Sequence, residues 1–236
     1  MSRPGEAGQP ASTSGTEPDK QEEARERKGT EARLSVSGVI LAAGQAQRMG
    51  ATKQLLAWGD GTILQTVIDH ARESRLDEVV VVLGHDGERI RHALGLPSSG
   101  PLRAVVEASW RDGQSRSLGA GLSAVAEGAD AAAVLLGDQP GVDAALIDRV
   151  LAALPGCEKP VHRPVHRAAS GRGAPGHPVV LSRRIFSDAA ALSGDEGARA
   201  LLREHPDWLC AVEVDGKRPG DIDTPDDYER LRRGAH

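Results

Sequence analysis

The sequence has almost no aromatic residues, few cysteines and no long apolar run. Aromatic side chains make up 2% of the 236 residues, so the core must be built from Val, Leu, Ile and Ala. No apolar run approaches the roughly 20 residues that a membrane-spanning helix requires. The amino terminus has no apolar segment of the secretory type. These absences predict a cytoplasmic protein with no membrane partner.

Cysteine is also scarce, and acidic residues outnumber basic ones. Cys157 and Cys210 are too few for a disulfide framework, and their spacing is not that of a metal site. Both stand beside apolar residues, so we expect them to pack as small hydrophobic side chains. The formal net charge is −5. A nucleic-acid partner favours a basic surface, so we expect none.

The chain divides into a polar amino-terminal segment and a longer domain. Residues 1–33 are rich in Ser, Gly, Pro, Glu and Lys and offer little to bury, which predicts a disordered tail. Residues 34–236 are long enough for a single α/β domain.

From residue 34 onward, apolar strands alternate with amphipathic helices. We predict strands at Val36–Ala42, Glu78–Leu83, 103–107, Ala131–Leu136, 177–181 and 209–214, and helices at 62–72, 90–94, 118–126, 144–154, Ala198–Glu204 and 224–232. This order, with continuous apolar strands, is typical of a largely parallel sheet covered on both faces. The segment 160–176 is basic and rich in Gly and Pro, which predicts a loop.

The most informative segment is LAAGQAQRMGATKQLL, residues 41–56, where a buried strand runs into a loop of small residues. Small side chains let backbone N–H groups approach phosphate oxygens. Arg48 and Lys53 can add positive charge to a triphosphate. The loop matches neither the Walker nor the Rossmann glycine pattern. Taken alone, it is equally well a turn between a strand and a helix, with two solvated cations.

Acidic residues stand at two positions that suit a metal. Asp138 directly follows a predicted strand, and ligands gather at the carboxyl ends of parallel strands. A carboxylate there can hold a hard cation such as Mg²⁺ against phosphate oxygens. Asp221 and Asp223 precede the last predicted helix. Structural roles are equally open: Asp138 can cap a turn before Pro140, and Asp221 or Asp223 can begin a helix.

Several of these motifs together resemble the MobA-like nucleotidyltransferases: the loop at 41–53, GDQP at 137–140 and DIDTPDD at 221–227. Within that family the chain is most similar to the molybdenum cofactor cytidylyltransferases, through KQLL at 53–56, GQSRSLGAGL at 113–122, GHPVVLSRRIF at 176–186 and GDEGARALL at 194–202. The resemblance covers nearly all of residues 39–231. It implies a Rossmann-like three-layer α/β/α fold of the nucleotide-diphospho-sugar transferase type, with a mostly parallel sheet.

The resemblance also implies site residues. Nucleotide binding corresponds to Leu41, Ala42, Ala43, Gly44, Arg48, Lys53 and Ser115, and catalysis to Arg48, Lys53 and Asp138. Acceptor binding corresponds to Ser117, His177, Asp195 and Arg199. Mg²⁺ binding corresponds to Asp138 and Asp223. One position departs from the family: Ala46 stands where Ser or Gly is usual, which removes one hydroxyl contact to phosphate.

The implied reaction joins a nucleoside monophosphate from an NTP to a molybdopterin-type phosphorylated acceptor and releases pyrophosphate. The LAAG form of the loop favours CTP, and a molybdoenzyme is a possible recipient of the product. Two alternatives stay open. One is a transferase of the same fold that uses GTP or a sugar or polyol phosphate. The other is a non-catalytic molybdenum cofactor chaperone, although a chaperone has no need of a triphosphate loop. The arginines of 163–184 either bind the acceptor's phosphate or form a solvated surface.

Overall fold

A computed structural model describes Met1 and residues 33–46, 48–167 and 173–234. The strands are β1 (Val36–Ala42), β2 (Ala57–Trp58), β3 (Gly61–Thr62), β4 (Glu78–Leu83), β5 (Leu102–Val106), β6 (Ala131–Leu136), β7 (Val161–Arg167), β8 (Gly173–Pro175), β9 (Val179–Ser182) and β10 (Leu209–Asp215). The helices are α1 (Ile63–Glu73), α2 (Gly87–Ala93), α3 (Gln114–Ala124), α4 (Ala144–Ala152), α5 (Phe186–Ala190), α6 (Ala198–Glu204) and α7 (Pro225–Gly234). The predicted tail, 1–33, lies almost wholly outside the described residues.

The main sheet has the strand order β10-β7-β9-β6-β1-β4-β5, and β8 pairs with β7 at one side of this path. The pairs β1–β4, β1–β6, β4–β5 and β7–β10 are parallel, while β9 runs antiparallel to both β6 and β7. The carboxyl ends of β1, β4 and β6 therefore lie side by side at the same end of the strands. The predicted mostly parallel sheet is confirmed.

Helices cover both faces of the sheet, as the continuous apolar strands predicted. In β4, Val79 and Val81 pack with α1 and α4, while Val80 and Val82 pack on the opposite face with α3. Strand side chains alternate between faces, so a strand that is apolar throughout needs a cover on each side. Full burial of each such side chain stabilises the fold by ~1.5–3 kcal/mol. The result is the three-layer α/β/α arrangement that the resemblance implied.

Side chains cap the helices that flank the site. The Thr62 hydroxyl accepts from the Gln65 amide at the start of α1, and the Asp143 carboxylate accepts from the Leu146 amide at the start of α4. At α7, the Asp227 amide donates to the Thr224 hydroxyl, and Pro225 is the first residue of the helix. Each cap contributes ~1 kcal/mol. The predicted start of the last helix is confirmed.

The prediction of a loop at 160–176 was wrong. Val161–Arg167 forms strand β7 between β9 and β10, and Gly173–Pro175 forms β8. The Arg, His and Pro residues of β7 hid the strand pattern, because pairing with two neighbours rather than intrinsic preference sets this conformation. Residues 168–172 lie outside the described part of the chain.

The expectation that Cys157 and Cys210 pack as small hydrophobic side chains was also wrong. Cys157 and Cys210 form a disulfide, with their Cα atoms 6.5 Å apart. Their sequence separation of 53 residues concealed this pairing, because only the alignment of β7 with β10 brings them together. In the described part of the chain, no helix combines the length and the apolarity needed to cross a membrane.

Candidate active site

The side chain of Gln54 holds the loop after β1 in place. The side-chain amide of Gln54 donates to the backbone oxygens of Ala42 at 3.0 Å and Gly44 at 3.3 Å. Gln54 is 4% exposed, so these hydrogen bonds are shielded from water. Between these two residues, the backbone oxygen of Ala43 accepts a hydrogen bond from the His85 amide at 3.0 Å. Gln54 therefore positions the loop after β1, and sequence reasoning missed this residue within KQLL.

Lys53 lies between two carboxylates. Its Nζ atom is 2.6 Å from Asp138 Oδ2 and 3.3 Å from Asp223 Oδ1, and it donates to the Ile222 backbone oxygen at 3.0 Å. The Ile222 amide in turn donates to the Asp138 backbone oxygen at 3.1 Å. This backbone link brings the segment before α7 to the end of β6. Two acidic residues far apart in sequence thus share one cation.

The electrostatics of Asp138 suit a metal ligand. Burial raises the pKa of its carboxyl above the ordinary value, Lys53 opposes this, and the nearby carboxylates of Asp221 and Asp223 add to it. Its Oδ1 atom is buried and has no hydrogen-bond partner among the described residues. An acidic oxygen that is buried and unpartnered, beside a second carboxylate, is the donor set that a hard divalent ion prefers. Asp138 and Asp223 therefore fit such an ion.

A cleft opens above these carboxylates. Its volume is about 690 Å³, within the range of about 300–1,000 Å³ that is typical of small-molecule sites. Its walls include every predicted nucleotide-loop residue, together with both predicted metal ligands and two predicted acceptor residues: Leu41, Ala42, Ala43, Gly44, Arg48, Lys53, Ser117, Asp138, Asp195 and Asp223. Arg48 is exposed, with its Nη2 atom 3.5 Å from Asp223 Oδ2. Trp110 and Arg111 also line the cleft, and nothing in the sequence pattern singled them out.

The start of α3 is tied to the segment before α6. The Ser115 amide donates to the Gly194 backbone oxygen at 3.1 Å, and the Gln114 amide donates to Asp195 Oδ1 at 3.3 Å. Gly113 has a φ of 111°, and a Cβ there would lie 2.5 Å from the Gly194 oxygen. The Asp195 carboxylate thus caps the start of α3. Ser115 is buried, and its hydroxyl has no partner among the described residues, whereas Ser117 lines the cleft.

A second cavity adjoins the cleft, with which it shares Leu41, Gln114 and Leu136 as lining residues. It contains the predicted acceptor residues His177 and Arg199, and also Arg163. Burial lowers the pKa of Arg163, and the like charges of Arg199 and Arg218 lower it further. Burial, followed by the charge of Arg163, lowers the pKa of His177 to about 4. This is a positive cavity with a neutral histidine.

Two acidic side chains partly offset this positive charge: Glu196 lines the cavity, and Asp221 acts on His177. Burial tends to raise the pKa of Asp221, but hydrogen bonds from Gln139 and Arg218 lower it below the ordinary value. Arg218 Nη2 lies 2.9 Å from Asp221 Oδ2. Gln139 is 1% exposed and was not singled out from the sequence. Asp221 is therefore engaged by its neighbours, while Asp223 faces the cleft.

Together, the sheet, the strand-end carboxylates and the adjacent cation-lined cleft define a nucleotidyltransferase. The family described as the MobA-like NTP transferase domain matches residues 38–208, and the chain belongs to this family. Both the fold and the class agree with the resemblance drawn from the motifs.

Relatives with different names share this domain. The chain is 33% identical to nicotine blue oxidoreductase of Paenarthrobacter nicotinovorans, covering 83% of this chain and 96% of the relative. It is 34% identical to the purine catabolism protein PucB of Bacillus subtilis, covering 83% and 95%. It is 25% identical to the molybdenum cofactor cytidylyltransferase of Escherichia coli, covering 82% and 94%.

Solved structures agree. Rv0371c of Mycobacterium tuberculosis is 32% identical and superposes with a TM-score of 0.73, covering 85% of this chain and 99% of that one. A second structure of Rv0371c, a complex with manganese, has a TM-score of 0.70 at the same identity and coverage. A relative of this chain is therefore known in complex with manganese.

Proposed function

We propose that this protein transfers a cytidylyl group from CTP to a phosphorylated, molybdopterin-type acceptor and releases pyrophosphate, with Mg²⁺ as the metal. The observation that carries the proposal is the Lys53 ammonium between Asp138 and Asp223. A single carboxylate would be enough to pair with Lys53. Two converging carboxylates, one of which has a buried oxygen without a partner among the described residues, can also bind a divalent ion. When bound, this ion would neutralise charge on the triphosphate.

The side chains divide the work of bringing two anions together. A phosphate oxygen of the acceptor attacks the α-phosphorus of CTP, and the bond from that phosphorus to the bridging oxygen of pyrophosphate breaks. The acceptor phosphate is already ionised at pH 7, so no general base is required. Lys53 and Arg48 bind the triphosphate and stabilise the negative charge of the departing pyrophosphate, and the loop amides after β1 add hydrogen bonds.

The acceptor's phosphate is assigned to the second cavity. Arg163 and Arg199 line it, and burial, followed by the like charges of Arg199 and Arg218, lowers the pKa of Arg163. An anion between these groups relieves the repulsion and gains charge-assisted hydrogen bonds. His177 stays neutral at pH 7 because its pKa is about 4, so it can hydrogen-bond the acceptor without adding charge. The shared wall at Gln114 gives this phosphate a short route to the nucleotide.

The metal and Lys53 compete for the same carboxylates. Without nucleotide, the Lys53 ammonium pairs with Asp138 and Asp223. A triphosphate offers Lys53 another anion and leaves both carboxylates to the ion. We therefore expect the divalent metal and the NTP to bind with positive cooperativity.

The test incubates purified protein with Mg²⁺, one of the four NTPs and either molybdenum cofactor or a sugar or polyol phosphate, and measures pyrophosphate release and binding of the cofactor. We expect release with CTP and with the acceptor present. Release only with a sugar or polyol phosphate would identify a transferase with another acceptor. Binding of the cofactor without release under any combination would identify a chaperone and contradict the proposal. The acceptor arm is essential because identity is higher to relatives named for other processes than to the cytidylyltransferase.

The choice of CTP over GTP can be tested within the loop. Ala43 is 5% exposed and lines the cleft, where its methyl group narrows the space for a base. We expect kcat/KM for CTP to exceed that for GTP by ~100-fold, and Ala43→Gly to reduce this ratio.

Ala42→Gly is the matched control for this test. The Ala42 methyl packs in the core, and a Cβ added at Gly137 would lie 2.8 Å from it. Because Ala42 also lines the cleft, this variant should lower stability and reduce the ratio less than Ala43→Gly does. A wild type that prefers GTP, or uses both nucleotides equally, would contradict the cytidylyl assignment and leave the transferase class intact.

A further inference from the structure

A second cluster of metal-ligating side chains lies away from the cleft. One ligand atom each from Cys157, His162 and Cys210 lies within 4.8 Å of the other two. His162 is near the start of β7 and pairs in parallel register with Cys210 of β10. β7 runs in the same direction as β6, because both are antiparallel to β9. The cluster is therefore toward the amino ends of these strands, whereas Asp138 follows the carboxyl end of β6.

The surroundings of His162 suit a metal ligand. Its side chain is 4% exposed, and its ring hydrogen-bonds the backbone of Cys157. Its Nε2 atom is buried and has no hydrogen-bond partner in the described part of the chain. A metal-binding histidine typically uses one ring nitrogen as ligand while the other hydrogen-bonds a carbonyl that fixes the ring. A buried ring nitrogen that lacks a partner is unfavourable, and a metal would remove that cost.

The two sulfurs complete a donor set of known preference. Two thiolates and one imidazole select soft or borderline cations such as Zn²⁺, unlike the carboxylates of the cleft, which select hard ones. Both cysteines are partly exposed, so ions and reductants can reach them. In the structure they form a disulfide, and a dithiol/disulfide pair responds to the redox state of its compartment.

We propose that Cys157, His162 and Cys210 form a second metal site, which binds a thiophilic divalent cation such as Zn²⁺ when the two cysteines are reduced. Reduction breaks the S–S bond with two electrons and two protons from a dithiol reductant, which becomes a disulfide. Binding of Zn²⁺ then releases the two thiol protons. Three protein ligands leave the fourth tetrahedral position to water.

The disulfide and the proposed metal site each join the same two parts of the fold. Cys210 is on β10, which ends the strand order, and Cys157 is in the connection from α4 to β7. The disulfide fixes β10 to this connection under oxidising conditions, and the metal does so under reducing conditions. The site therefore stabilises the edge of the sheet in a compartment of either kind, independently of nucleotidyl transfer.

The test titrates Co²⁺ and Zn²⁺ into the full chain, with and without prior reduction by a dithiol reductant that is then removed. We expect the reduced protein to bind one equivalent of Co²⁺ with thiolate-to-cobalt charge-transfer absorption, which Zn²⁺ abolishes. The oxidised protein should show no such absorption. Zn²⁺ at ~100 times its Kd should raise the Tm of the reduced protein by ~5–10 °C.

Variants separate the proposed ligands from bystanders. Cys157→Ser or Cys210→Ser should each remove most of the charge-transfer absorption, and His162→Gln should weaken Co²⁺ binding by at least ~10-fold. Asp138→Asn is the control, because it alters the carboxylate site only and should leave this absorption unchanged. A reduced wild type without the absorption would overturn the proposal and leave a structural disulfide. That comparison needs no variant, so it stands even if a substitution impairs folding.

Discussion

Asp138, a residue of the candidate site, lowers the stability of the folded protein. Burial raises the pKa of Asp138, so its ionised form is less stable in the folded protein than in the unfolded chain at pH 7. A carboxylate that supports little packing and is held beside Asp221 and Asp223 is retained at a cost in stability. Such conflicts between local stability and charge placement are typical of functional sites. We therefore expect Asp138→Asn to leave Tm at pH 7 unchanged or slightly higher.

His177 predicts how stability depends on pH. Burial, and next the charge of Arg163, lower its pKa to about 4. A depressed pKa means that the unfolded chain takes up a proton first, so stability is present above the unfolded value and is lost as pH falls. Between pH 7 and pH 5, this one group should remove ~2 kcal/mol from the free energy of unfolding.

The measurement is urea denaturation of wild type and His177→Gln at both pH values. The variant should lose less stability on acidification. Other groups cancel in the difference, including His166, whose pKa is also lowered by burial. Equal acid sensitivity of the two proteins would show that His177 is not held neutral by its surroundings.

At the scale of elements, helix α3 approaches the sheet closely because of one glycine. A Cβ built at Gly121 would lie 2.4 Å from Val39 Cγ1 and 3.1 Å from Val82 Cγ2. Gly121→Ala should therefore lower the free energy of unfolding by ~1–3 kcal/mol, because β1 or α3 must shift.

Gly119 is a matched control in the same helix. A Cβ there meets its nearest atom, Ala190 Cα, at 3.9 Å, an ordinary contact. Gly119→Ala should be neutral or stabilise by up to ~1 kcal/mol through helix propensity. Denaturation curves of both variants test this, and equal effects of the two substitutions would disprove the close-approach argument.

Elements with strong local patterns could be predicted, and those fixed by partners could not. The Val-rich β4 and the Thr224–Pro225 start of α7 carry their own signals, so their positions were correct. Strand β7 does not, since its register with β9 and β10 determines its conformation. The Cys157–Cys210 disulfide was missed for the same reason.

The candidate site shows the same difference between residues that local motifs mark and residues whose contacts form only in the fold. Motifs placed Lys53, Asp138 and Asp223 on one edge of the sheet, where the structure has them in contact. Gln54 and Arg163 act through buried contacts with distant backbone and with other arginines. No local pattern marks such contacts, so Gln54 emerges only from the fold, and the sequence leaves Arg163 open between binding the acceptor's phosphate and forming a solvated surface.

At the scale of the whole molecule, residues from Leu34 onward form one compact unit. The composition of residues 1–33 predicts that the tail does not stabilise this unit, because it has no apolar periodicity to dock. A chain that lacks residues 1–33 should keep its Tm within ~2 °C and its rate of pyrophosphate release within ~2-fold. A larger loss of either, measured against the full chain, would contradict the predicted disordered tail.

The central claim is that Asp138 and Asp223 hold a divalent ion together with the triphosphate. The most direct measurement is Mn²⁺ binding, followed by electron paramagnetic resonance, with and without a CTP analogue that cannot be cleaved between the α- and β-phosphates. In wild type we expect one bound Mn²⁺, held more tightly when the analogue is present. Asp138→Asn should weaken binding by at least ~10-fold. Asp226→Asn, which removes an exposed carboxylate in the first turn of α7, should change it little. Equal Mn²⁺ affinity in wild type and Asp138→Asn would contradict the account.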